Sequence, residues 1–187
     1  MTLDNQEELI EYDAWAIPLR TGSIWALIAI IISLGIYLTI GIDASGGFNA
    51  STIISMLAGI ILAVIMPYMA MKNHRDQNLN GYISFGTCIK VGLRVILVYT
   101  LLLIIYNFVF TTFIEPDLAT DAFQLEIEKL EDSGAPESQI EMTEKMFSIF
   151  TNPLVMALMT FVWSFGMGLI CSLLSAAMAK KERPGLA

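Results

Sequence analysis

The residues of this chain that could perform acid–base, nucleophilic or metal chemistry are few and scattered. His74 is the only histidine among 187 residues, and it lies in the polar stretch formed by residues 72–76. A single imidazole makes neither a zinc cluster nor a base placed beside a nucleophile. The sequence contains no H-E-x-x-H, G-x-S-x-G or phosphate-binding-loop pattern. We therefore interpret His74 as an ordinary loop histidine, and we expect a protein that is not an enzyme and holds no cofactor.

Two other groups of residues could bind a metal ion, namely the acids of residues 115–152 and the two cysteines. The acidic segment holds ten carboxylates and only two lysines, so its net charge of −8 equals that of the whole chain. It lacks the Asp-x-Asp-x-Asp-Gly spacing of a calcium loop, which favours a solvated charged surface, with a basic partner as the alternative. Cys88 and Cys171 are expected at depths about 10 Å apart, too far for a disulfide. We predict two free thiols and no metal site.

The elements that position these residues are four long apolar runs, at residues 24–42, 53–71, 91–114 and 154–179. Each is about as long as a helix that crosses ~30 Å of hydrocarbon. The composition agrees, since 56% of the residues are hydrophobic and the mean hydropathy is +0.67. The pattern predicts an all-α integral membrane four-helix bundle in contact with the lipid bilayer, with no nucleic-acid partner. The predicted spans are about 21–42, 51–71, 89–114 and 153–179, between an acidic tail at 1–20 and a short tail at 182–187.

The acidic segment between the third and fourth spans reads as a helical hairpin. Its predicted arms are residues 117–132 and 137–149, separated by the Ser-Gly-Ala-Pro stretch at 133–136. Ser138 and Glu141 have the spacing of a capping box, and Asn152 followed by Pro153 is typical of a helix start. The arms carry a broad apolar face, which could pack between the arms, against the ends of the spans, or against a partner.

Basic residues indicate the orientation of the spans. Such residues collect in short cytoplasmic loops, and here they flank the second loop as Lys72, Arg75, Lys90 and Arg94. Further bases follow the fourth span as Lys180, Lys181 and Arg183. Both termini are therefore predicted in the cytoplasm and the hairpin outside it. We expect Lys72, Arg75, Lys90 and Arg94 to act as inner-side anchors or lipid headgroup contacts.

Small residues at four-residue spacing indicate how the spans pack, because they let helix backbones approach closely. One such stripe lies in the fourth span at Ser164, Gly168, Ser172 and Ala176, and another in the second span at Ser51, Ser55, Gly59 and Ala63. The stripes serve either packing within one chain or a seam between two copies. Asn107 is the intramembrane polar residue, and we interpret it as a hydrogen-bond link between helices, with a permeation path as the alternative.

Three short patterns together resemble a known family. They are His74-Arg75 after the second span, Gly-Tyr-Ile-Ser-Phe-Gly at residues 81–86 followed by Lys90, and Phe-Ile-Glu-Pro-Asp at residues 113–117. Over residues 19–181 their order and spacing resemble the bacterial four-span membrane family, found mainly in Bacteroidota, catalogued as domain of unknown function 4199. The resemblance implies a small protein of the bacterial inner membrane and supplies no catalytic residues to carry over.

Three functional hypotheses remain open. The leading one is a non-catalytic scaffold or accessory subunit that uses the hairpin and the small-residue faces to bind another envelope protein or a second copy of itself. The alternative is a small transporter or channel formed by oligomerisation, with Pro67, Arg94 and Asn107 near the path. A membrane-embedded enzyme acting on lipid is the third, although no paired acid and base supports it.

Overall fold

The structure is a computed structural model that describes residues 13–40 and 50–182. Within these ranges the side chains of Ile40, Ala50, Ser51, Thr52 and Ser55 are not described. Residues 1–12, 41–49 and 183–187 lie outside the described residues; they include most of the acidic N-terminal tail and most of the connection between the first two predicted spans.

Six α-helices make up almost all of the described chain. They are α1 (Ala16–Ile40), α2 (Ala50–Asn78), α3 (Phe85–Val109), α4 (Leu118–Asp132), α5 (Glu137–Phe150) and α6 (Pro153–Ala179). A π-helical turn, Phe110–Ile114, continues α3. Four of these helices are long and apolar enough to cross a membrane. The all-α class with four candidate spans, predicted from the sequence, is therefore confirmed.

The second span continues further than its apolar run, and this overturns one prediction. The helix α2 extends through the polar residues to Asn78, where Asn80 and Gly81 adopt positive φ angles of 51° and 85°. The Gly81 amide then donates to the carbonyl oxygen of Arg75 at 2.9 Å, a bond of the kind that closes a helix. His74 is consequently a buried helical residue, and its interpretation as a loop histidine was wrong.

Of the two helix caps predicted from local sequence, one is formed and the other is not. Asn152 caps α6, because its side-chain oxygen accepts a hydrogen bond from the Leu154 amide at 2.9 Å. The predicted capping box of α5 is not formed, since Pro136 occupies the cap position and Ser138 already lies inside the helix. A proline at that position has no side-chain acceptor but fixes the extended backbone that precedes a helix.

The four spans surround a core that is confined to one end of the bundle. Both α2 and α3 contact α1, α6 and each other. The buried apolar residues cluster where α1 and α3 begin and where α2 and α6 end; we call this the clamp end and the opposite end the hairpin end. The buried residues of this apolar cluster are Met66, Ala70, Met71, Ile83, Cys88, Val91, Val95, Ile96, Ala176 and Ala179.

Candidate interaction surfaces

The clamp end is held together by polar contacts between segments far apart in sequence. The backbones of Ile83 and Lys181 exchange two hydrogen bonds, of 2.9 and 3.0 Å. The Arg75 side chain pairs with Asp76 at 2.8 Å and donates to the terminal carbonyl of α6, at Ala179, over 3.4 Å. Helix ends leave such carbonyls without an internal partner, so these contacts fasten the end of α6 to the end of α2 and to the loop before α3.

The four predicted anchor residues have different surroundings. Lys72 and Lys90 are exposed at the clamp end, whereas Arg75 is engaged by Asp76. Arg94 is half-buried, and its guanidinium donates to the Ala14 carbonyl at 3.0 Å and lies 5.2 Å from the Trp15 ring centroid. A cation over an aromatic face is attracted by the ring quadrupole. Arg94 thus binds α3 to the chain that leads into α1, rather than extending alone to the membrane surface.

His74 lies inside the clamp end with 1% of its surface exposed. Its Nδ1 atom is 3.2 Å from the Asn78 side-chain nitrogen, one helical turn later. A buried imidazole requires hydrogen-bond partners because its nitrogens lose water on folding. The signal in the sequence is spacing, since position 74 follows Pro67, Ala70 and Met71 by seven, four and three residues and so shares their helix face. The structure buries that face.

The small-residue stripe of α6 lies mainly against α3. Gly168, Ser172 and Ala176 are buried, and Ser164 is half-buried. A Cβ atom added at Gly92 would lie 2.0 Å from the Ser172 hydroxyl oxygen, and one added at Gly168 would lie 2.7 Å from Ile96. The Ser172 hydroxyl has no hydrogen-bond partner within the described chain. Small size therefore suits these positions, and Gly92 is a packing residue that the sequence reasoning missed.

The small-residue stripe of α2 and Asn107, the predicted polar link between helices, differ in their surroundings from the stripe of α6. A Cβ atom at Gly59 would meet nothing within 4 Å, and Ala63 is half-buried; the side chain of Ser55 lies outside the described part. Asn107 is exposed, and its side-chain nitrogen donates to the Leu103 carbonyl of the same helix at 3.0 Å. Among the described contacts of one chain, Asn107 does not link two spans.

An aromatic cluster joins α1 to the π-helical turn at the hairpin end. Phe110 is buried there, with the Tyr37 ring edge-on at 5.3 Å and the Tyr106 ring at 5.8 Å between centroids. The Tyr37 hydroxyl donates a hydrogen bond to the Glu115 carboxylate, and the Tyr106 hydroxyl lies 3.1 Å from Ser33. Glu115 belongs to the Phe-Ile-Glu-Pro-Asp pattern, but spacing alone did not reveal its partner.

The helices α4 and α5 form a hairpin that packs mainly on itself. The rings of Phe123 and Phe147 stack with centroids 3.8 Å apart, yet no residue of either arm is buried. Lys129 lies 3.6 Å from Glu126 in α4. The hairpin meets the bundle through the contact of α5 with α6.

One face of α5 exposes apolar side chains, which we call the apolar stripe: Met142, Met146, Ile149 and Phe150. The exposed fractions of the first three are 64%, 50% and 57%. Residues three and four apart lie side by side on a helix, so the stripe is continuous. Phe147, which stacks on Phe123 of α4, adjoins the stripe beside Phe150.

Within residues 13–40 and 50–182, no group of three or more His, Cys, Asp or Glu side chains is arranged to hold a metal ion. Both cysteines are buried free thiols.

These helices define a small multi-pass, all-α membrane protein. The chain belongs to the family described as protein of unknown function, DUF4199, whose model matches residues 20–181. No curated protein and no solved structure matches it.

Proposed function

We propose that this protein is a non-catalytic membrane scaffold or accessory subunit whose α4–α5 hairpin binds another envelope protein. The observation that carries the proposal is the exposed apolar stripe of Met142, Met146, Ile149 and Phe150. Apolar residues at this spacing form the surface that an amphipathic helix places in an apolar groove. Methionine side chains suit such a role because they are flexible and polarisable.

The charge of the hairpin supports a protein partner over a membrane surface. Residues 115–152 have a net charge of −8, and anionic lipid headgroups repel such a segment. A groove edged by lysine or arginine would complement both the stripe and the surrounding acids. The partner we propose therefore has an apolar groove with a basic rim.

The distribution of basic residues supports a proposal for the side of the membrane on which each end of the bundle lies. Lys72, Arg75, Lys90 and Arg94, with Lys180 and Lys181, occur at or near the clamp end, and positively charged segments are retained in the cytoplasm. We place the clamp end and both termini in the cytoplasm of a bacterial cell, the spans in its inner membrane, and the hairpin outside.

The experiment that tests the role is purification from native membranes after mild crosslinking. The wild type is compared with a Met142→Ser, Met146→Ser double variant, and with a Gln139→Ser, Ser148→Ala variant as a matched control on exposed, uncharged positions of the same helix. Burial of one such side chain contributes about 1.5–3 kcal/mol, so recovery of a defined partner should fall about tenfold or more in the first variant only. Absence of a partner, or equal recovery from all three proteins, would refute the scaffold role.

A small transporter or channel formed by several copies is the second candidate, and the exposed amide of Asn107 favours it. Polar groups on a membrane-facing helix surface are costly unless a neighbouring helix receives them. A second copy could supply that partner near Gly59, where the α2 surface is open. Solute flux in reconstituted vesicles that disappears in Asn107→Leu would support this function, and no flux across a broad panel of ions and small solutes would contradict it.

A further inference from the structure

A groove between α1 and α2 at the clamp end has the composition of a lipid site. Its volume is about 410 Å³, within the ~300–1,000 Å³ typical of ligand pockets. Polar lining comes from Arg20, Asn73 and Gln77, and apolar lining from Ile24, Trp25 and Ile28, among others. Ile24 and Met69 line the groove and are exposed on the outside of the bundle, so the groove is accessible from the bilayer.

Apart from Ile17, which precedes Arg20, the residues that line the groove change from polar to apolar along the membrane normal. Ile28 follows Arg20 by eight residues, which is about 12 Å along a helix at roughly 1.5 Å per residue. On α2, Asn73 and Gln77 lie near the end of the helix, at Asn78. Because α1 begins where α2 ends, Arg20 and Gln77 are near the membrane surface, while Trp25 and Ile28 are deeper.

The charge of the side chains that line the groove determines which kind of lipid headgroup can bind there. Arg20 is exposed, and within the described ranges it forms no ion pair. No carboxylate is among the described residues that line the groove. Guanidinium groups bind phosphate oxygens through paired hydrogen bonds, and the amides of Asn73 and Gln77 offer further donors.

We propose that this groove binds one anionic glycerophospholipid. The phosphate contacts Arg20 and the two amides, and the upper part of one acyl chain lies along Ile24, Trp25 and Ile28. A lipid is the occupant because the groove joins a cationic, hydrogen-bonding surface end to an apolar end inside the membrane. The site is at the opposite end of the bundle from the α4–α5 hairpin, and it does not depend on the role proposed for that hairpin.

The test uses the full chain in nanodiscs that contain equal amounts of phosphatidylglycerol and phosphatidylcholine. After transfer to mild detergent, native mass spectrometry measures the ratio of the two lipids retained. We expect phosphatidylglycerol to be retained preferentially, and Arg20→Gln to lower the ratio about fivefold, which corresponds to about 1 kcal/mol per basic residue near the surface. The matched control is Lys180→Gln, since Lys180 is an exposed cation at the same end but not in the groove; it should change the ratio less than twofold.

Two further experiments distinguish the apolar end of the groove from its phosphate-binding end. Ile28→Trp fills the apolar end and should reduce retention of both lipids, while excess inorganic phosphate should displace neither. Equal loss in Arg20→Gln and Lys180→Gln would overturn the proposal in favour of diffuse surface attraction. Displacement by inorganic phosphate, or no preference in the wild type, would also overturn it.

Discussion

The Tyr37 hydroxyl of α1 donates a hydrogen bond to the carboxylate of Glu115, which follows the π-helical turn at the end of α3. This contact and the packing of Tyr37 on Phe110 join two spans at the hairpin end, where the core is otherwise sparse. Departures from regular α-helix of this kind are frequent at functional positions. Here the turn directs Glu115 towards α1 immediately before the hairpin begins.

We predict that Tyr37 and Glu115 are energetically coupled. Tyr37→Phe and Glu115→Ala should each lower the melting temperature of the detergent-solubilised protein by a few degrees, because each removes the same hydrogen bond. The double variant should be little worse than either single one, since nothing remains for the second change to break. Fully additive losses in this double-mutant cycle would show that the two residues act independently.

Gly92 should be intolerant of a side chain. Gly92→Ala places a methyl group against Ser172 and Met71, and overpacking of this kind costs about 1–3 kcal/mol. Thermal unfolding in detergent should reveal the loss, and Ser172→Gly should restore part of it. Gly59→Ala is the control, because nothing lies near a Cβ atom there; equal stability of Gly92→Ala and Gly59→Ala would contradict the close packing of α3 on α6.

His74 should behave as a core residue. His74→Ala leaves a cavity and removes the partner of Asn78, so we expect a loss of about 2 kcal/mol or more in the free energy of unfolding. Lys72→Ala, at an exposed position two residues earlier, should leave stability nearly unchanged. If the two variants unfold alike, the buried position of the imidazole is refuted.

Arg94 should control the order of the beginning of α1. Arg94→Gln removes the bond to the Ala14 carbonyl and the contact with Trp15, so amide hydrogen exchange should become faster in the first turn of α1. Exchange in α6 should remain unchanged, because unfolding of a helix end is local. Lys90→Gln, one turn away and exposed, is the matched control, and equal acceleration there would indicate a general charge effect.

The orientation proposed for the spans can be tested by thiol labelling. Ser148→Cys introduces an exposed thiol on the hairpin, and Asn80→Cys introduces one at the clamp end. Both native cysteines are buried, so background labelling should be low. A membrane-impermeant maleimide should label intact spheroplasts at residue 148 and should label residue 80 only after permeabilisation; the reverse pattern would invert the proposed orientation.

Local sequence was sufficient wherever one segment decides its own structure. A run of about 20 apolar residues must form a helix in a bilayer, because its backbone polar groups have no other partners there. The four spans were therefore predictable, whereas the family resemblance depended on three short patterns between and beside them. The cap at Asn152 was also predictable, since it needs only residues that are adjacent in the chain. The capping box at Ser138 did not form because α5 begins at Glu137, directly after Pro136, which places Ser138 inside the helix.

Tertiary structure alone decided which residues meet. Hydrophobicity does not distinguish a lipid-facing side chain from a packed one, so the sequence could not separate the buried stripe of α6 from the open surface at Gly59. It could not assign Arg94 to Ala14, or Tyr37 to Glu115, because each pair is distant along the chain. These partners depend on the rotation and depth of each helix in the bundle, and those are set by packing between spans rather than by the apolar length of any one span.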